Sequence, residues 1–463
     1  MSLYHTLYRD FFLPAYQPER YGGLRTQWRE LERREAASDG ENRDRQWQAV
    51  RRVLKYAYEA TRFYRERFDQ AGLTPDKIQS PADLQRIPLL TRNDIRTRLE
   101  DLTSNRYRAQ ELAESATGGT TDTPVTLRRS PESMQFRTAV QLRFNAWAGA
   151  NPGDKFFWLW GAQGDFVGAP SWRWRMWERH VLRRLYGQTS RLNEEMFEQY
   201  RRAVTAYRPK IFMAYPTPLA LFCEYLAQSG KPFHKPKAAL VTAEVLLPEQ
   251  REVIRNTLGI DPYVQYGTRD FGMIAAECSE HNGMHLSPMS AFVELIPLEP
   301  GNPQTVYDVV VTDLTNLAMP LIRYAINDCA IPATGSCACG RGYPRVQEFI
   351  GRMTDNFYLA DGTVVSGVVL PGRILKVCPG ILKMQIIQET YSDFRIRYIP
   401  GAEFQSENLQ QVATKLRQYT GDVKVEFEQV MEIPREKSGK TRFFISKVQR
   451  AMPAAVAGGK ANE

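Results

Sequence analysis

Cysteine is scarce in this chain. There are six in 463 residues, at positions 223, 278, 329, 337, 339 and 378, too few for a disulfide scaffold. No uninterrupted apolar run approaches the ~18 residues that a membrane span needs. The opening Met1-Ser2-Leu3-Tyr4-His5 lacks the charged and then apolar stretches of a signal peptide. No internal repeat is found, and no dense Lys/Arg block alternates with aromatics, which argues against nucleic acid as a partner. Together these absences make a cytoplasmic protein without a membrane span the expectation.

What is present is ordinary globular composition, 43% hydrophobic and 24% charged, in a chain long enough for a large core and more than one domain. The net charge of +9 favours anionic partners such as nucleotides, coenzyme A, nucleic acid or an acidic membrane surface. A solvated basic surface accounts for it equally well, because the charge is scattered among Arg-Glu-rich helices such as Arg25 to Arg52.

Residues 24–72 read as helical, with apolar positions such as Trp47, Val50, Val53 and Leu54. Ser80 reads as an N-cap with Pro81 at the first helical position, and Thr91 and Asn93 precede a run from Asp94 to Leu99. The middle alternates candidate strands Lys155–Trp160, Ile211–Ala214, Ala239–Thr242 and Val264–Tyr266 with helices Glu194–Tyr207, Pro218–Ser229 and Pro248–Leu258. Such alternation predicts an α/β core with a largely parallel sheet. Strands Phe292–Ile296 and Tyr307–Thr312 follow. A smaller α+β unit begins at 351 and ends near Val448, leaving 449–463 as a disordered tail.

Five motifs carry chemistry. In Thr117-Gly118-Gly119-Thr120-Thr121-Asp122-Thr123-Pro124, glycines admit a phosphate to the backbone and hydroxyls donate to its oxygens. Tyr266-Gly267-Thr268-Arg269-Asp270-Phe271-Gly272 follows an apolar strand, and ligands gather at the carboxyl ends of strands in open α/β sheets. Asp270 there could hold magnesium, which wants carboxylate oxygens. Met319-Pro320-Leu321-Ile322-Arg323-Tyr324 leads to Asn327-Asp328, where a carboxylate can accept from two ribose hydroxyls. Gly351-Arg352-Met353-Thr354-Asp355 lies at a composition shift and reads as a hinge. Ser438-Gly439-Lys440 places a flexible cation on a turn, suited to a carboxylate attacking a phosphate.

In this order the motifs resemble the adenylate-forming superfamily of acyl-CoA synthetases and nonribosomal peptide adenylation domains, over roughly residues 50–445. The resemblance is closer to the phenylacetate–coenzyme A ligase-like branch and its relatives in capsule and polysaccharide gene clusters. Phe63-Tyr64-Arg65-Glu66-Arg67-Phe68, Ile87 to Thr91 and Thr242-Ala243-Glu244 look like that branch. The resemblance implies a large multi-sheet α/β N-terminal domain, residues 1–350, and a small mobile α+β C-terminal domain, residues 351–448. It implies that Thr117, Gly118, Gly119, Thr120 and Thr121 wrap the ATP phosphates, and that Glu244, Tyr266, Gly267, Thr268, Asp328 and Arg352 line the nucleotide. Asp270 would stand for the usual magnesium-binding glutamate, and Lys440 would contact the substrate carboxylate and the α-phosphate. Asp122 stands where a glycine is usual, and Thr354 where the hinge aspartate is usual.

Cys278, with His281 and His285 after it and Cys337-Ala338-Cys339 further on, supplies three thiolates and an imidazole, a tetrahedral zinc set. Buried free cysteines acting as small hydrophobes are the alternative. A similar pattern in some relatives of the branch favours His285, giving Cys278, His285, Cys337 and Cys339 as structural zinc ligands. Cys329 reads as packing.

The expected reaction is ATP-dependent activation of a small carboxylic acid, releasing pyrophosphate, then thioester formation with coenzyme A. Phe144, Trp147, Trp160, Tyr215 and Ala243 are candidates for the acyl pocket, whose aromatic content suits an aryl or arylacetic acid. Two further readings stand beside it: transfer to an amine or carrier-protein thiol, and a non-catalytic relative. A homodimer is compatible with all three. Replacement Lys440→Ala is expected to lower acid-dependent pyrophosphate release by about 10²–10³-fold. Unchanged release would remove the lysine from the reaction.

Overall fold

The computed structural model describes residues 2–116, 125–160, 172–187, 189, 194–297, 306–352, 357–359, 364–365, 374, 377–378, 381–401, 404–433 and 444–448. They gather into two compact units that part between Phe349 and Ile350.

The first unit opens with helices set by local sequence signals. Ser38 caps α1, Asp39–Ala60, and Thr61 caps α2, Arg62–Gln70. Ser80 with Asp83 and Thr91 with Asp94 form capping boxes, each satisfying two otherwise orphaned backbone donors. The apolar face of α1 and α2 buries Val50, Val53, Leu54, Phe63, Tyr64 and Phe68 in the largest core. The Tyr64 hydroxyl accepts from the Ile322 N–H at 2.8 Å, so α2 reaches the Met319–Tyr324 stretch. Burial pushes the Tyr64 phenol pKa up. After a short ladder of Ala113–Ala116 with Thr126–Arg129 comes α3, Pro131–Trp147.

The unit is built on an eleven-stranded sheet. In chain order its strands are β1 Phe156–Leu159, β2 Arg184–Gly187, β3 Ile211–Ala214, β4 Ala238–Thr242, β5 Tyr263–Thr268, β6 Gly272–Glu277, β7 Met284–Leu286, β8 Ala291–Pro297, β9 Tyr307–Asp313, β10 Tyr324–Pro332 and β11 Arg345–Arg352. Their spatial order is β8-β9-β10-β11-β7-β6-β5-β4-β3-β1-β2. Strands β2-β1-β3-β4-β5 run parallel. Helices α4 Trp172–His180, α5 Glu194–Tyr207, α6 Pro216–Ser229 and α7 Pro248–Leu258 fall between or after these strands. Every residue of β3 and β4 is buried, as expected where both faces of a parallel sheet are covered.

At β5 the sheet changes character. Strand β6 returns antiparallel to β5, and β7 is antiparallel to β6 and to β11. The largely parallel sheet expected from the alternation therefore covers one half only. The other half is antiparallel because no helix of the set intervenes after α7. Strand β2 escaped the sequence reading because its tetrapeptide Arg-Leu-Tyr-Gly is neither apolar throughout nor alternating.

The second unit holds a four-stranded sheet of β12 Ile381–Gln388, β13 Asp393–Pro400, β14 Lys424–Gln429 and β15 Phe444–Ser446, in the order β14-β13-β12-β15. Helix α8, Asn408–Thr420, joins its core through Val412 and Leu416, which pack with Phe357, Ile386, Phe394, Ile396 and Phe444.

Arg323, from the third motif, holds the antiparallel half to the segment after α2 that carries Gln85 and Ile87. It is 4% exposed, with a left-handed backbone at φ 50°. Its Nε lies 3.1 Å from both oxygens of Glu294, and its Nη1 donates to the carbonyls of Gln85 and Ile87. Burial raises the Glu294 pKa, and Arg323 opposes that shift. Replacement Arg323→Ala leaves a buried carboxylate unpaired and should cost about 3–5 kcal/mol in urea unfolding. A loss within experimental error would mean that the pair is not a structural tie.

Candidate active site and a cysteine–histidine cluster

The parallel strands end on a row of sequence-singled residues. Trp160 follows β1, Tyr215 follows β3, Ala243 and Glu244 follow β4, and Tyr266, Gly267 and Thr268 close β5. The rings of Trp160 and Tyr215 are 4.4 Å apart. Ala243 takes φ 69°, a left-handed conformation costing about 1–2 kcal/mol for a residue with a Cβ. Such strain concentrates at functional sites. Glu244 Oε2 accepts from the Thr217 N–H at 3.2 Å, in the first turn of α6, where the helix dipole favours a carboxylate.

Tyr266 joins this row to the antiparallel half. Its ring stacks on Phe349 of β11 at 3.6 Å with 7° between planes. Its hydroxyl donates to Asp328 Oδ2 on β10, and Asp328 is buried. A flat aromatic platform beside an oriented carboxylate can take a ring on one side and hydroxyl donors on the other.

The turn from β5 to β6 carries Asp270. Thr268 Oγ1 accepts from the Phe271 N–H at 3.1 Å. A Cβ on Gly267 would fall 2.5 Å from the Gly272 carbonyl oxygen, and Gly272 takes φ 76°. Two arginines clamp the turn from outside. Arg137 donates to the carbonyls of Asp270 at 2.8 Å and Arg269 at 3.0 Å. Arg129 donates to the same two carbonyls at 3.3 Å and 2.5 Å. Burial, then the neighbouring Arg129 charge, lowers the Arg137 pKa to about 10. Burial lowers that of Arg129 too, while Asp270 and Asp313 counteract it.

Cys278, His285, Cys337 and Cys339 come together, their ligand atoms all within 4.8 Å of one another. The Cys278 and Cys337 sulfurs are 3.6 Å apart, and Cys339 Sγ is 3.3 Å from His285 Nε2. Zn–S bonds of about 2.3 Å in a tetrahedron place sulfurs about 3.8 Å apart, so donor set and spacing fit zinc. Burial raises the Cys278 thiol pKa to about 12. Burial also lowers the His285 pKa to about 4, helped by Arg341 and Arg345, keeping the imidazole in the neutral form a metal binds. His281 lies elsewhere, with Nδ1 3.0 Å from Glu277 Oε2.

The five acyl-pocket candidates divide. Trp160, Tyr215 and Ala243 stand at strand ends. Phe144 and Trp147, one turn apart on α3, pack beside the cysteine–histidine cluster, with the Trp147 ring 5.8 Å from His285 and under the Arg341 guanidinium. The loop 117–124, Thr354, Asp355, Lys440 and the tail 449–463 lie outside the described residues, as does the side chain of Arg352.

The CapK C-terminal domain family matches residues 357–447. A phenylacetate-coenzyme A ligase of Thermus thermophilus is 25% identical over 351 residues, covering 74% of this chain and 77% of that protein. Protein CapK of Staphylococcus aureus is 20% identical over 408 residues, covering 87% and 88%. Among solved structures, 2-hydroxyisobutyryl-CoA ligase in the postadenylation state with 2-HIB-AMP superposes with a TM-score of 0.68, at 19% identity, covering 90% of this chain and 92% of that one. Over about three quarters of its length the chain is thus similar to phenylacetate-coenzyme A ligases.

Sequence reasoning about such a ligase missed Phe349, Arg129 and Arg137. Phe349 looks like any apolar strand residue. The arginines lie 140 and 132 positions before Arg269, and no local pattern marks them.

Proposed function

We propose that the chain is an adenylate-forming ligase: it activates a carboxylic acid with ATP as an acyl-adenylate, releases pyrophosphate, and forms a thioester with coenzyme A. The observation that carries this reading is the Tyr266 platform bonded to Asp328 at the ligand end of a parallel sheet, in a relative of phenylacetate-coenzyme A ligases. On this reading Asp328 accepts the ribose hydroxyls, and Arg352 would also serve the nucleotide. Glu244, Gly267 and Thr268 line the nucleotide, and Thr117 to Thr121 wrap the phosphates. Asp270 offers one carboxylate, and phosphate-bound magnesium takes one or two. That ion would neutralise phosphate charge, and Lys440 would bridge the substrate carboxylate and the α-phosphate. The paired rings of Trp160 and Tyr215 favour a flat, apolar acid, aryl or arylacetic.

A second reading keeps the adenylation and passes the acyl group to an amine or a carrier-protein thiol instead of coenzyme A.

We further propose that Cys278, His285, Cys337 and Cys339 hold a structural zinc. Four protein donors close a tetrahedron and leave no open position for catalysis. The ion would join the strand carrying His285 to the 337–339 loop.

Two outcomes are expected. Acid-dependent pyrophosphate release should appear with aryl or arylacetic acids, ATP and magnesium, and acyl-CoA should be detected by mass spectrometry when coenzyme A is added. Release without acyl-CoA would favour the second reading, and silence across a broad acid panel would oppose both. Elemental analysis should find about one zinc per chain, reduced at least roughly tenfold by Cys339→Ala, with a lower thermal midpoint. Wild-type protein carrying far less than one zinc would defeat the metal assignment.

A further inference from the structure

The start of the chain carries an apolar stripe that no described residue of the first unit covers. Leu3–Leu7, a π-turn over Tyr8–Phe12 and Leu13–Tyr16 follow one another as a single helical run. Leu3, Leu7 and Phe11, spaced by four, are 73%, 49% and 58% exposed. They stand on a ladder of rings, Tyr4, Tyr8, Phe12 and Tyr16, each within 6.0 Å of the next. The ladder continues at 5.8 Å to Trp177 of α4, which is exposed, as is its neighbour Met176. Monomer surfaces rarely show so many large apolar side chains together, and such patches mark contact sites.

The charge beside the stripe chooses the occupant. The described side chains of 176–187 include three arginines, Arg179, Arg183 and Arg184, against the single acid Glu178. Arg183 lies at the rim of the stripe, over the Tyr4 ring at 5.3 Å and donating to its hydroxyl at 2.9 Å. The one acid within the stripe's helical run, Asp10, is taken up by Arg9. A second copy would meet this patch with itself, because a two-fold contact is isologous, and would set arginines against arginines. A lipid surface with anionic headgroups meets both features. Leucine and phenylalanine enter the acyl boundary, tyrosine and tryptophan sit at headgroup level, and arginines face the negative charge.

We propose that Leu3–Tyr16 together with α4 forms a docking surface for an anionic lipid membrane. No helix among the described residues is long and apolar enough to cross one, so the association is peripheral.

Vesicle flotation of the full chain tests it. Protein should float with phosphatidylcholine vesicles containing about a third phosphatidylglycerol, and not with pure phosphatidylcholine. High salt should weaken binding, because exposed charge is screened. The double variant Leu7→Glu/Phe11→Glu should bind at least tenfold more weakly, with unchanged circular dichroism and pyrophosphate release. Met176→Glu, on the other element, should weaken binding in the same direction and stands in if the double variant does not fold. Absence of wild-type flotation, equal flotation with neutral vesicles, or indifference to both variants would overturn the proposal. So would a wild-type dimer in sedimentation equilibrium that the double variant splits without any vesicle binding, which would assign the stripe to a second copy.

Discussion

The site depends on a turn that two arginines hold still. Between β5 and β6 the sheet passes from parallel to antiparallel within a few residues, too few for a helix to bridge. Gly267 and Gly272 remove the side chains that would collide there. Arg129 and Arg137 satisfy the carbonyls of Arg269 and Asp270, which the turn leaves outside the ladder. Tyr266 precedes this turn on β5 and Asp270 lies within it, so its geometry sets the distance between the aromatic platform and the carboxylate.

The cysteine–histidine cluster does comparable work on the other side of β6. Cys278 directly follows that strand, His285 sits in β7, and Cys337 and Cys339 precede β11. Phe144 and Trp147 of α3 close the cluster from the apolar side. Helix α3 also carries Asn145, whose Oδ1 accepts from Gln265 Nε2 at 2.9 Å within the core. A side chain on β5, the loop before β11 and the cluster after β6 are thus all referred to one helix. Two faces of that helix serve different ends, and sequence spacing alone cannot tell which aromatic faces which.

How much was legible follows from the range of each signal. Capping boxes at Ser80 and Thr91 are written within four residues, and the chain folds there as they direct. Buried parallel strands such as Ile211–Ala214 announce themselves as apolar runs. Helix α6 begins two residues earlier than periodicity suggested, because Pro216 is as good a first helical residue as Pro218. The three cysteines stood out because thiols are rare here, His285 was preferred to His281 by resemblance, and the structure brings these four side chains together. By contrast, β2 hides behind charged residues, and Arg323 looks like a site residue in its motif while serving as a buried tie. Phe349 and the two clamping arginines act only through contacts far along the chain, which composition and period do not encode.

On the proposed reading, the aspartate at position 270 is a coherent choice despite being shorter than the family's usual glutamate. A glutamate can hunt for a metal through three side-chain torsions, and its position tolerates some backbone play. An aspartate has two torsions, so its oxygens lie where the backbone puts them. That is tolerable only if the backbone does not move, and four hydrogen bonds from Arg129 and Arg137 hold the carbonyls of residues 269 and 270. The same arginines bring positive charge near the carboxylate. Both are already engaged with backbone oxygens, which limits them as competitors for the phosphate. The shorter arm and the rigid turn are therefore one device: precision lost in reach is recovered by fixing the point from which the reach begins.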